Sequence, residues 1–170
     1  KTIFVGDTSV HEYPTSKQLS EIAISSARVV RLFGFDPKVA FVSHSTFGQP
    51  LTSRTKHIKE AVDILKEKKV DFEFDGDMQP DVALNEEYKS LYPFSKIVGN
   101  ANILIMPGQH SAAISYKMMK TLGDTKVIGP LLIGLGLPIE IAPLRSSTSE
   151  IINLASIAAY SADVINYKKN

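Results

Sequence analysis

Three stretches of this chain gather side chains able to hold an anion or move a proton. The first is Ser43-His44-Ser45-Thr46-Phe47-Gly48-Gln49-Pro50, with three hydroxyl donors and a Gly48 that lets a backbone come close to a bound group. Arg54, Lys56 and Lys59 follow where a helix begins. Cations are unfavourable at that end of a helix dipole. A phosphate or another anion among them would account for the placement; so would a solvated basic face behind an ordinary turn. The second stretch, Pro107-Gly108-Gln109-His110-Ser111, offers His110 and Ser111. His110 reads either as a phosphate donor or helix cap, or as a surface histidine. The third, Pro143-Leu144-Arg145-Ser146-Ser147-Thr148-Ser149-Glu150, is rich in hydroxyls and ends at a helix start. Ser147 with Glu150 three residues on has capping-box spacing, and free N–H groups at such an end suit an anion.

Other constellations carry less chemistry. Asp75, Asp77 and Asp81 are close enough to suggest Mg²⁺, but the spacing is not that of a calcium loop. Asp75 and Asp77 are expected to form a turn, and Asp81 to complement a helix dipole. His11, His44, His57 and His110 lack metal-ligand spacing. His44 and Ser45 are neighbours at a strand end, so their side chains diverge and make no nucleophile pair. No phosphate-binding Walker run or Gly-x-Gly-x-x-Gly is present.

These loops hang on alternating strands and helices. Strands are expected over residues 2–5, 38–43, 70–74, 101–106 and 126–128, with a further strand-like alternation at Pro138-Ile139-Glu140-Ile141. Helices are expected over 15–33, 53–68, 80–91 and 111–122, and from Ser147 onward. Thr15 with Gln18 is a capping box, and Leu19, Ile22, Ala23, Ala27 and Val30 form one helical face. Residues 6–14 read as a loop and 168–170 as a polar tail. Such alternation argues an α/β fold with a mostly parallel sheet and helices on both faces. Ligands collect at the carboxyl ends of such strands. The loops at 44–53, 107–111 and 142–149 are therefore expected to rim one site.

A chain of 170 residues suits a single domain spanning 1–170. Its net charge of +1 gives no reason to expect a nucleic-acid partner. The absence of Cys removes disulfides and thiolate chemistry and fits a reducing cytoplasm. No apolar run is long enough to cross a bilayer. The opening Lys1-Thr2-Ile3-Phe4-Val5 is already strand-like and lacks Met, as expected of a fragment of a longer chain.

The run Gly129-Pro130-Leu131-Leu132-Ile133-Gly134-Leu135-Gly136-Leu137-Pro138, continued through Ser146-Ser147 and Ile151-Ile152-Asn153, resembles the closing segment of the phosphate acetyl/butyryltransferase superfamily. It resembles more closely still the phosphotransacetylase-like C-terminal region of bacterial NADP-dependent malic enzymes. The 43–59 segment is similar to the family's Ser-x-Ser-Thr-x-Gly loop. Residues 75–84 are similar to its Asp-Gly-Glu-Leu-Gln-x-Asp-Ala-Ala-Leu run, and 107–117 to its Pro-Asp-Leu-Asn-Ala-Gly-Asn-Ile-Gly-Tyr-Lys run. The last match keeps Pro107, Ile114, Tyr116 and Lys117 and loses two amides, at His110 and Ala113. The resemblance implies an isocitrate/isopropylmalate dehydrogenase-like fold, of which this chain is the second half. It also implies a cleft for acetyl-CoA, CoA or phosphate, with Ser43, Ser45, Thr46, Gly48, Arg54, His110, Ser111, Arg145, Ser146 and Ser147 as candidate contacts. The family's Ser-Arg pair, which serves the thiol and the acyl phosphate, falls on Pro143 and Leu144. Only Arg145 and Glu150 remain as catalytic candidates.

That departure implies a regulatory, acyl-CoA-sensing domain of an NADP-dependent malic enzyme. An absent N-terminal part would use NADP and a divalent metal to decarboxylate malate to pyruvate, and this chain would hold no metal or cofactor of its own. An active phosphate acetyltransferase using Arg145 and a domain serving oligomerisation alone are the alternatives. A homo-oligomer, dimer or larger, is the expected partner, with neither nucleic acid nor membrane.

Overall fold

The computed structural model describes residues 1–7 and 9–167; the expected polar tail at 168–170 lies outside the described residues, as does residue 8 of the expected 6–14 loop. The chain divides into two compact units, Lys1–Ser115 and Tyr116–Asn170.

The first unit is an α/β sandwich. Its strands are β1 (Phe4–Gly6), β2 (Lys38–Val42), β3 (Glu73–Met78) and β4 (Ile103–Ile105). They form one parallel sheet in the order β1-β4-β2-β3. The side-chain period of 2 sorts the central strands onto two faces. Val39, Phe41, Ile103 and Ile105 face one core with α1 (Ser16–Leu32) and α2 (Ser53–Glu67). Ala40, Val42 and Leu104 face the other, with Met78, Val82 and Ala83. Both long helices begin as their sequences demand: Thr15 with Gln18, and Thr52 with Thr55, make reciprocal capping boxes. Leu19, Ala23, Ala27 and Val30 line the buried stripe of α1, and Ile58, Ala61, Val62 and Leu65 that of α2. The expected parallel sheet flanked by helices is what forms.

Crossover handedness sets the rest. β1 reaches β2 through α1, and β2 reaches β3 through α2, both on one face. The return from β3 to β4 begins in α3 (Pro80–Leu84) on the other face, followed by α4 (Glu86–Lys89). Neighbours β2 and β3 therefore hand their chains to opposite sides, which opens a crevice at their carboxyl ends.

Several expectations change. Residues 75–77 do not turn; they lie in β3, because Asp75 and Gly76 pair with Ala40 and Phe41. The register then slips between Phe41 and Val42, leaving Asp77 as the extra residue of a bulge. Gly76, at φ +153°, is required here: a Cβ would lie 2.7 Å from the Phe41 Cβ. The 80–91 helix breaks at Asn85, whose extended backbone ends α3 and whose side chain caps α4. The remaining boundaries move by one to three residues.

In the second unit, α5 (Gln109–Leu122) continues from the first and α6 (Thr148–Tyr167) closes the described chain. The strands expected at 126–128 and 138–141 do not form. Alternation alone makes no strand without a neighbouring edge to complete its hydrogen bonds. Ile139 and Ile141, the alternating pair, are exposed.

Candidate functional site

The 43–50 loop leaves the carboxyl end of β2 and is fastened from β3. The Asp77 carboxylate, buried by the bulge, accepts from the Ser45 hydroxyl and, at 3.0 Å, from the Gly48 N–H. The Asp77 carbonyl accepts from the Phe47 N–H at 2.7 Å. The Thr46 hydroxyl accepts from the Gln79 N–H at 3.2 Å, and the Gln79 side chain donates to the His44 carbonyl. Ser45 and Thr46 are thus buried, with their hydroxyls engaged by protein. Ser43, half-buried and 3.4 Å from the Ser45 hydroxyl, is the least committed of the three. Asp75 performs the matching task one register earlier, accepting from the Lys96 N–H at 2.7 Å. The two carboxylates hold loops; among the described residues no His/Cys/Asp/Glu group is arranged to bind a metal.

Beside this loop, where α1 and α2 begin, lies an open groove of ≈ 340 Å³. Tyr13, Thr15, Ser53, Arg54, His57 and Pro107 contribute to its wall. The 107–111 loop therefore meets the start of α2, since both follow neighbouring strands, β4 and β2. Arg54 is exposed there and carries no ion pair among the described residues. Neither α1 nor α2 has an acidic residue in its first turn. An anion entering this groove meets a guanidinium and no opposing carboxylate on the wall. Beyond Pro107, the Ser111 hydroxyl donates to the Gly108 carbonyl at 2.8 Å, closing the first turn of α5, and His110 is exposed; neither residue lines the groove. Gly108 is needed because a Cβ would sit 2.7 Å from the Glu12 carbonyl oxygen.

Two polar groupings escape sequence reasoning. His57 Nε2 donates to the Pro14 carbonyl at 2.9 Å, while Nδ1 lies 2.9 Å from the Ser16 hydroxyl. That hydroxyl is also 2.9 Å from Glu60. The network ties α2 to the loop before α1 across 41 residues of sequence, a separation no local pattern reveals. The second, Asp7 with His11, has visible i,i+4 spacing. Asp7 sits at φ +52°, and its carboxylate accepts from the Val10 N–H and lies 2.5 Å from His11 Nδ1. It orients an imidazole at the carboxyl end of β1.

In the second unit, Ser147 and Glu150 form the expected reciprocal cap of α6: Ser147 N–H and hydroxyl donate to Glu150 at 2.7 and 3.0 Å, and the Glu150 N–H donates back. Lys120 adds an ion pair at 2.9 Å. The Lys120 ammonium, followed by the Ser147 donors, holds the Glu150 carboxyl down at about 2. A carboxylate held so firmly in its charged form is a poor proton acceptor near neutral pH. Arg145 is exposed, and Ser146 is half-buried with its N–H on the Pro143 carbonyl at 2.9 Å. Leu144 is fully exposed.

Residues 1–159 match the family model described as phosphate acetyl/butaryl transferase. The chain is 48% identical over 162 residues to an NADP-dependent malic enzyme of Rhizobium meliloti (strain 1021), covering 95% of this chain and 21% of that relative. It is 35% identical to a phosphate acetyltransferase of Clostridium acetobutylicum, covering 94% of this chain and 49% of the relative. Among solved structures, a phosphotransacetylase from Streptococcus pyogenes aligns with a TM-score of 0.88 at 34% identity, covering 94% of this chain and 49% of that one. The chain thus spans about a fifth of the malic enzymes it matches and about half of the Clostridium acetobutylicum and Streptococcus pyogenes phosphotransacetylases.

Proposed function

The chain belongs to the phosphate acetyl/butaryl transferase family, and on that premise we propose that it is a phosphotransacetylase-like regulatory domain of an NADP-dependent malic enzyme, binding acyl-CoA without transferring its acyl group. The observation that carries this reading is the pair Pro143-Leu144. It occupies the positions where the family resemblance calls for a hydroxyl and a guanidinium. A pyrrolidine ring has no hydroxyl to offer a thiol, and a leucine has no charge to offer an acyl phosphate. Glu150, the remaining acidic candidate, is engaged as the α6 cap. The scaffold for recognition is retained nonetheless. The Asp77-fastened loop and Arg54 both follow β2, Pro107 after the neighbouring β4 completes the Arg54 groove, and Arg54, which makes no ion pair among the described residues, meets no carboxylate in that groove's lining.

The domain senses acyl-CoA in a cytoplasmic enzyme whose malate chemistry resides in the remainder of a longer polypeptide. Self-association is part of the same proposal. Leu122, Leu137, Ile151, Ile152 and Tyr160 of the second unit are large and exposed, and a second copy of the chain would cover them. Among the described residues, no helix is long and apolar enough to cross a membrane.

Calorimetric titration of the full-length protein with acetyl-CoA, alongside malate-dependent NADPH formation, tests the reading. Binding that alters the malate rate, with no acetyl-CoA made from acetyl phosphate and CoA, is the expected result. Absence of both binding and rate change refutes it. Active acetyl transfer is the second reading, favoured by the exposed Arg145, without an ion pair among the described residues and one position past the expected guanidinium. Robust acetyl-CoA synthesis abolished by Arg145→Ala would establish it.

A further inference from the structure

The joint between α2 and the loop before α1 is one hydrogen short of its contacts when its imidazole is neutral. His57 Nε2 lies 2.9 Å from the Pro14 carbonyl, an oxygen that only accepts, so this nitrogen carries a hydrogen. The other ring nitrogen, Nδ1, lies 2.9 Å from the Ser16 hydroxyl oxygen, and that oxygen lies 2.9 Å from Glu60 Oε2. Two gaps of hydrogen-bond length thus meet at a hydroxyl that has one hydrogen to give. Glu60, as a carboxylate, supplies none.

With a neutral ring, Nδ1 is bare. Ser16 then donates to His57 or to Glu60, and the remaining gap sets two acceptors face to face. With an imidazolium, Nδ1–H donates to Ser16, Ser16 donates to Glu60, and both gaps are filled. The positive ring also stands 3.9 Å from Glu60 Oε2. The charged and titratable side chains on the segments packed around it are Arg54 and Glu60 on α2, Lys17 on α1, and His11, Glu12 and Tyr13 in the loop before α1. Lys17 reaches Glu21, and His11 is held by Asp7. Among the described residues, Glu60 is the one carboxylate within 4.0 Å of the His57 ring.

We infer that Ser16, His57 and Glu60 form a proton-operated latch on the Arg54 groove: a charged His57 holds the 13–15 loop onto α2, and loss of its proton releases one contact and lets the loop part from the helix. The groove is walled by Tyr13, Pro14 and Thr15 from that loop and by Ser53, Arg54 and His57 from α2, so the joint ties its two sides together. The extra hydrogen bond is present while the imidazole is charged and is lost as pH rises through the range in which imidazoles give up their proton. The inference does not depend on acyl-CoA binding, because no ligand takes part in the joint.

Hydrogen exchange of the full-length protein without ligand, read on peptides covering residues 11–19 at about pH 6 and about pH 8 and corrected for intrinsic amide rates, tests the latch. The Thr15, Gln18 and Leu19 amides report it, since they end on Gln18 Oε1, Thr15 Oγ1 and the Thr15 carbonyl. Their protection is expected to be roughly tenfold greater at the lower pH, the worth of one hydrogen bond to a charged group. Glu60→Gln, at a largely exposed side chain, brings an N–H that donates to Ser16 and frees the hydroxyl proton for a neutral His57. High protection at both pH values is expected there, and low protection at both in Ser16→Ala. His11→Asn keeps a donor for Asp7 and removes the other imidazole of the loop; the wild-type difference is expected to remain. Equal wild-type protection at the two pH values overturns the inference. So does a pH difference that survives Glu60→Gln or disappears with His11→Asn in folded protein.

Discussion

Asp77→Ala should loosen the 43–50 loop and cost a large share of the stability of the first unit. The side chain is 3% exposed and accepts from two donors, the Ser45 hydroxyl and the Gly48 N–H. Alanine strands the Gly48 N–H and leaves the fully buried Ser45 hydroxyl with only its long, 3.4 Å contact to the Ser43 hydroxyl. Each stranded buried donor costs roughly 1–3 kcal/mol, so the pair costs about 4 kcal/mol. For a chain of this size that corresponds to a fall in Tm of about 8–16 °C. Asp77→Asn keeps one acceptor oxygen, and Ser45→Ala removes the donor together with its need; each should cost about 1–2 kcal/mol. Urea denaturation measures all three. Amide hydrogen exchange adds a local reading, because the Phe47 and Gly48 N–H groups both end on Asp77. The Gly48 N–H, which ends on the carboxylate, should lose its protection in the alanine variant, whereas the Phe47 N–H ends on the backbone carbonyl that alanine retains, and protection of α2 falls only with global stability. Asp77→Ala within about 0.5 kcal/mol of wild type, with the Gly48 amide still protected, would refute the claim that this carboxylate fastens the loop.

Gly76→Ala would push a methyl to within 2.7 Å of Phe41 Cβ and 2.8 Å of its carbonyl oxygen; a loss of about 3 kcal/mol is expected by urea unfolding, and a neutral result would contradict the packing. Glu150 stabilises the α6 cap as a carboxylate, with its folded-state value lowered to about 2. Its contribution is therefore present above the ordinary glutamate range and lost as pH falls from about 4.3 toward 2. Glu150→Gln should remove that pH dependence, read by NMR titration of the α6 N-terminal amides. Lys89 is 8% exposed, its ammonium has no hydrogen-bond partner among the described residues, and burial pushes its titration down. Its charged form weakens the fold below the lowered value, and that penalty disappears as pH rises toward the ordinary lysine range. Lys89→Met should then stabilise by about 1 kcal/mol near neutral pH, and a comparable destabilisation would show an unrecognised partner.

Where the sequence was legible, local chemistry and periodicity agreed. Thr15 with Gln18, and Ser147 with Glu150, sit three residues apart and cap the helices they announce. The stripes on α1 and α2 and the apolar runs of β2 and β4 fix which faces are buried, and their alternation with helices fixes a parallel sheet. The Asp75-Gly76-Asp77 run misled because turn residues were judged without their neighbour. Pairing with β2 draws them into a strand, and the bulge there turns Asp77 toward a loop 29 residues away from it in sequence at Gly48. Ile139 and Ile141 misled in the opposite sense, showing a strand's alternation with no edge to pair against.

The residues able to bind were thus visible from their types, but not their commitments. Ser45 and Thr46 look free in sequence and are engaged in the fold; Gln49 and Tyr88 look ordinary and stand open on a groove. Types, caps and faces depend on spacings of three or four residues, or two, which the chain carries within itself. Which hydroxyl is already satisfied, and which wall is left bare, depends on contacts between residues tens of positions apart, and those exist only once the sheet has brought the ends of β2, β3 and β4 together.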